Sequence, residues 1–228
     1  ARTLLGYNHR RVPKEIVAGP DADAAAGTLR VVEHGPDDGA ATVVEVVRDW
    51  LAGGAAGTDV AVLARVNSLL LAPQVALAEA GIPVNSVLRT EVLERTGLRA
   101  ALAYLRLATS GDAMAPDDIV EILRRPTRGL PQWFPDRLAR RGTWSVAQLR
   151  GIADQVGDKD AAKVLRLADD LALVVAAGRR GTTRQVLEVV RDDVGLGSAM
   201  SMLDQTGTGQ GSSHLDDLEG LLGVADLH

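Results

Sequence analysis

Over residues 29–88 the apolar positions change their period repeatedly. Leu29-Arg30-Val31-Val32-Glu33-His34 alternates loosely and is β-branched, which predicts a strand, and residues 35–39 (Gly-Pro-Asp-Asp-Gly) predict a turn. Residues 40–52 place Val43, Val46, Val47, Trp50 and Leu51 at helical spacing. After a break at 53–58, residues 59–65 (Asp-Val-Ala-Val-Leu-Ala-Arg) read as a short strand of the buried parallel kind. Residues 68–80 form an amphipathic helix closed by Gly81, and Ile82-Pro83-Val84 opens another extended piece ending near Leu88. Strand, helix, strand, helix, strand in this order predicts an open α/β sheet. Beyond Leu88 the period settles at 3.6. Residues 91–109, 116–125, 134–141, 145–155, 159–178, 182–194 and 214–226 all read as helices, and no strand interrupts them. The expected fold class is therefore α/β plus all-α: a partial parallel sheet over 1–88, then a helical domain over 89–228.

The connecting segments sharpen this division. Residues 18–28 are small and turn-forming and read as a linker, and Gly207-Thr208-Gly209-Gln210-Gly211-Ser212-Ser213 reads as a mobile loop. No lysine follows that loop and no strand precedes it, which argues against a phosphate loop. The 228 residues are 46% hydrophobic and 24% charged, ordinary globular usage that argues against disorder. The absence of cysteine excludes disulfides, thiolate zinc sites, iron–sulfur clusters and thiol nucleophiles. No apolar run is long enough to span a bilayer, and the expected location is the cytoplasm.

Charge matters here through its distribution. The chain carries a formal −5, which argues against coating nucleic acid over its whole surface. Its lysines number only three (Lys14, Lys159, Lys163), so its cations are almost all guanidinium, which binds phosphate in a fork as lysine does not. Between Arg124 and Arg141, six arginines (124, 125, 128, 137, 140, 141) face one acid, Asp136. This stretch is either a solvated helix face or a phosphate-binding patch. A complete active site is not legible. The chain contains no Gly-x-x-x-x-Gly-Lys-Ser/Thr and no Gly-x-Ser-x-Gly, and its four histidines (His9, His34, His214, His228) stand singly, so no metal site is expected.

Three segments nevertheless share a pattern. Leu4-Leu5-Gly6-Tyr7-Asn8-His9-Arg10-Arg11 is the first. Residues 59–68, with Val62-Leu63-Ala64-Arg65-Val66-Asn67, run through a helix to Ala80-Gly81-Ile82-Pro83 and form the second. The third joins Ala101-Leu102-Ala103-Tyr104-Leu105-Arg106 to Arg124-Arg125-Pro126-Thr127-Arg128-Gly129-Leu130. In order and spacing they resemble the second half of the UvrD/Rep/PcrA family of superfamily 1 DNA helicases, and residues 214–222 resemble the helix that closes its inserted domain. The resemblance implies the start of a RecA-like domain (2A) followed by the helical insertion (2B).

By position, the resemblance makes Arg10 a contact to the γ-phosphate of ATP and His9 an adenine-stacking residue, where the family has tyrosine. It sets Arg65 and Asn67 against single-stranded DNA, although Asn67 reads equally well as a helix cap. It brings Arg124, Arg125, Arg128, Gly129 and Leu130 to duplex phosphates, with Pro131 standing where the family has a second glycine. ATP and Mg²⁺ belong to the complete helicase and are not expected on this chain, which lacks the Walker motifs and is expected to be inactive alone. The expected function is the DNA-binding portion of an ATP-dependent 3′-to-5′ helicase in unwinding or repair, with single-stranded and duplex DNA as partners. The alternative is a helical protein-interaction module of a repair complex, for which Trp133, Phe134 and Trp144 would serve as interface residues if they are not helical core.

Overall fold

The computed structural model describes residues 30–35, 38–86, 95–206 and 213–227. The chain divides into two compact units, Ala1–Glu33 and His34–His228, and of the first only residues 30–33 are described. Helix accounts for 67% of the structure and strand for 2%, with no sheet among the described residues. The expected RecA-like parallel sheet is therefore overturned. Residues 30–34, 60–64 and 82–86 are extended or irregular, yet none pairs with another.

The physical reason lies in what the extended segments touch. Helix α1 (Gly39–Ala52) and helix α2 (Leu71–Glu79) pack through Val44, Val47, Ala76 and Leu77. Val60 and Val62 lie partly buried on this small core, while Leu63 on the opposite face is 89% exposed. A parallel sheet is stable when helices cover both of its faces. Here one layer of two helices satisfies the apolar alternation without any ladder. The glycine at 81 behaves as expected, with φ +73° just past the end of α2, a conformation that favours glycine.

The larger core is helical throughout. It comprises α3 (Thr96–Ser110), α4 (Pro116–Ile122), α5 (Trp133–Leu138), α6 (Val146–Ala153), α7 (Asp158–Arg180), α8 (Thr183–Asp192), α9 (Leu196–Thr206) and α10 (His214–Ala225). α7 is the axis: Val164, Leu167, Leu171 and Val174 form one buried stripe at helical spacing, against which α3, α6 and α8 pack. Capping boxes fix three of the starts, Ser145 with Gln148, Thr182 with Gln185 and Ser213 with Asp216. A backbone bridge between Met114 and Trp144, 2.8 Å in both directions, ties the α3–α4 link to the α5–α6 link. Sequence periodicity placed each of these helices except α9, whose Gly197-Ser198-Ala199 start masks the apolar spacing of Leu196, Met200 and Leu203.

The two cores meet where α10 crosses the 3-10 turn Asn67–Leu70. A Cβ built on Gly220 would lie 2.5 Å from the Ser68 carbonyl oxygen, so the backbones touch there and only glycine fits. Gly220→Ala is accordingly expected to destabilise the protein by about 1–3 kcal/mol through overpacking, read as a lowered urea midpoint at unchanged slope, whereas Gly142→Ala, in open space, should leave the midpoint within about 0.5 kcal/mol.

Candidate nucleic-acid interface

The basic stretch begins where α4 ends. Arg124 and Thr127 form an isolated antiparallel bridge, and Gly129 turns the chain at φ +60° before Leu130 packs back on the larger core. Within this turn the arginines part company. The Arg128 side chain is 2% exposed, and its guanidinium is consumed internally. Nε and Nη2 both donate to Asp170 Oδ2 of α7 (3.1 and 2.7 Å). Nη1 donates to the carbonyls of Ile122 (2.8 Å) and Pro126 (3.2 Å), and Nη2 also donates to the Tyr104 hydroxyl at 2.8 Å. Tyr104 in turn donates to the Arg125 carbonyl at 3.0 Å.

This arrangement corrects one expectation: Arg128 is a buried fastener between α3, α7 and the turn, and has no donor left for DNA. The reason is desolvation. A guanidinium enclosed by protein must find a carboxylate and carbonyls nearby, and Asp170 and the turn supply them.

The remaining predicted residues are distributed as follows. Arg124 is exposed, with no carboxylate partner among the described residues. Arg125 is half-buried, Nη1 bonding the Arg124 carbonyl at 2.8 Å, while its buried Nε has no partner in the structure. Gly129 is exposed and Leu130 half-buried. Arg65 and Asn67 are exposed at the start of the 3-10 turn. Asn67 caps neither this turn nor α2, so its capping role is not realised. His9 and Arg10 lie outside the described residues. Phe134 and Trp144 are buried, and Trp133 packs edge-on to Phe134 at 5.8 Å against the core, so these aromatics are core residues.

The second half of the basic stretch builds something the resemblance did not single out. An open cleft of about 290 Å³ lies between the end of α5 and the outer face of α6. Arg137, Arg140 and Arg141 line one side, and Gln148, Gly151 and Gln155 line the other. The Arg141 guanidinium carbon sits 5.3 Å from the centroid of the Trp144 ring, a cation–π contact. Arg137 donates to Gln155 Oε1, and Gln155 Nε2 donates to the Gly151 carbonyl at 3.0 Å. No acid lines the cleft. Sequence reasoning counted its three arginines but not the glutamines, because a helix-face glutamine carries no signal of its own until the fold sets it opposite a cation.

Among the described residues no group of three or more His, Cys, Asp or Glu side chains is placed to hold a metal ion, and no helix is long and apolar enough to cross a membrane. No protein-family model matches the chain, and no curated protein matches it.

Two outcomes test the Arg128 fastener. Arg128→Ala leaves Asp170 without its partner and is expected to cost about 3–5 kcal/mol of folding stability in denaturant titration. Burial pushes the Tyr104 hydroxyl from 10.0 up to about 12, with Arg128 opposing the rise. The folded chain therefore holds this proton more tightly than the unfolded chain. Its contribution is fully present below about pH 10 and is lost as pH rises toward 12, by up to roughly 3 kcal/mol. Stability measured across that window should fall with a slope that Tyr104→Phe removes.

Proposed function

We propose that this chain is the DNA-contacting helical portion of an ATP-dependent, UvrD-like 3′-to-5′ DNA helicase in the cytoplasm, gripping the sugar–phosphate backbone through exposed guanidinium groups. One observation carries this reading: the described arginines without an acid partner are concentrated between residues 124 and 141. Among the described residues, Arg99, Arg106, Arg150 and Arg191 each pair with an acid on the surface, as do Arg179 and, partly buried, Arg184. Arg124, Arg137, Arg140 and Arg141 have no such partner; Arg48, Arg65, Arg166 and Arg180 have none either but stand singly along the chain, which as a whole has more acids than bases. An acidic protein that leaves several neighbouring cations unneutralised in one stretch presents them to an external anion.

DNA is the polyanion that suits them, since phosphates dominate affinity and need no sequence code. The resemblance of residues 101–130 to the helical insertion of the family supports the same reading. Arg124 lies on the exposed turn where that family meets the duplex, and Arg65 would meet the single strand. The residues that would approach ATP, His9 and Arg10, lie outside the described residues, and ATP and Mg²⁺ would act only in the complete helicase. A protein-docking reading finds less support, because the aromatics it needs are in the core.

Fluorescence anisotropy of this chain with labelled forked and duplex DNA over a salt series tests the proposal. Binding should be independent of base sequence and weaken with salt by about 0.9 log unit per phosphate contact for each log unit of salt. Arg124→Ala should flatten that dependence by about one contact for all sequences. No binding at low salt would overturn the reading.

A further inference from the structure

We infer that the cleft between α5 and α6 is a phosphodiester site that reads the backbone of a DNA strand and not its bases. This rests on the DNA-binding reading above and assigns it a place in the fold that the resemblance does not. The argument is an inventory of donors and acceptors. Gln155 spends both ends of its amide inside the protein, Oε1 on Arg137 and Nε2 on the Gly151 carbonyl. Gln148 spends Oε1 on the backbone N–H of Ser145 at 3.0 Å, as part of the cap of α6. What remains in the cleft is mostly donors: the guanidiniums of Arg140 and Arg141, the rest of Arg137, and N–H groups of Gln148 and Gln155, against one spare lone pair on each glutamine oxygen. A base presents donors and acceptors together, whereas a phosphodiester presents acceptors and negative charge alone. A donor-rich, acid-free cleft therefore matches the phosphodiester.

The cleft's aromatic residue points the same way. Stacking would need an open ring face, but Trp144 is 4% exposed, and the Arg141 guanidinium covers its ring. The indole N–H is committed to the Leu138 carbonyl at 2.9 Å. Trp144 thus acts on Arg141, its ring holding the guanidinium beside the cleft before a strand arrives. Arg137 is held likewise by Gln155. Neither Asp136 nor Asp154, the acids next to the cleft residues in sequence, pairs with any of the three arginines.

The floor offers a direct test. Gly151 lies inside α6, and a Cβ built there meets nothing within 4 Å. Gly151→Glu therefore raises helix propensity while adding a carboxylate to the cleft. It should keep the wild-type circular dichroism and urea midpoint yet weaken DNA binding about tenfold or more. Arg140→Ala/Arg141→Ala should weaken binding similarly and lower the salt slope by about two. An abasic strand of equal length should bind as tightly as a normal one, where a stacking site would lose roughly tenfold per missing base. Inorganic phosphate at matched ionic strength should compete no better than chloride.

Several results would overturn the inference. If both variants bind DNA as the wild type does, the cleft is not the site, although the DNA-binding reading stands. Weakened binding of the abasic strand would make it a base reader. Competition by phosphate at low millimolar concentration would make it a site for the free anion. If the wild-type chain binds no DNA at all, both readings fall together.

Discussion

A single enclosed guanidinium organises the turn between α4 and α5. Arg128 joins three pieces of chain that share no secondary structure: Tyr104 in α3, Asp170 in α7, and the carbonyls of Ile122 and Pro126 in the turn between α4 and α5. Replacing such a group by a hydrophobe of equal shape is often neutral in other proteins. Here it also donates to the Pro126 carbonyl and adds a second hydrogen bond to the Ile122 carbonyl, which the Arg125 N–H also reaches. The fastener thus does two things at once: it neutralises Asp170 and completes the turn. With the turn fixed, Arg124 stays outside and the chain is directed into α5, whose end carries the cleft.

Arginine suits both roles for different reasons. Inside, its planar fork reaches a carboxylate, two carbonyls and a hydroxyl from one rigid head, which the point charge of lysine does not do. Outside, the Arg141 guanidinium lies over Trp144 and also lines the cleft. The +5 stretch is therefore not one uniform patch. Arg128 is buried and paired with an acid, Arg125 and Arg137 are half-buried, and Arg124, Arg140 and Arg141 are exposed.

How much of this the sequence displays follows from the range of the forces involved. Helix periodicity and caps are local, and α1 and the helices around α7, except α9, were legible to within a few residues. The sheet was not, because a strand depends on a second strand and a covering layer. Val60 and Val62 alternate as a strand would, yet their demand is met by α1 and α2 alone. Arg128 misled for a related reason: its motif position pointed outward to DNA, while its partner Asp170 lies 42 residues away on α7. The local charge excess was legible, and it marked the cleft more faithfully than the motif did. Trp144 was legible only as core or interface; that it serves as core while steering Arg141 needed the fold.

The placement of the candidate site on the larger core has its own consequence. The small core of α1 and α2 is one-sided, with Leu63 and Trp50 exposed, and touches the rest through the Gly220–Ser68 and Gly223–Ala72 approaches. Few buried apolar residues hold it, so local opening should occur there at lower free energy than around α7. The α6 side of the cleft packs instead on α7, and the fastener that sets the turn before α5 ties α3 to α7. Rigid placement of cations lowers the ordering cost of gripping a phosphate. The proposed polyanion site, placed on the larger core, would therefore keep its geometry when the smaller core opens, which a site spread over Arg65 and Asn67 would not.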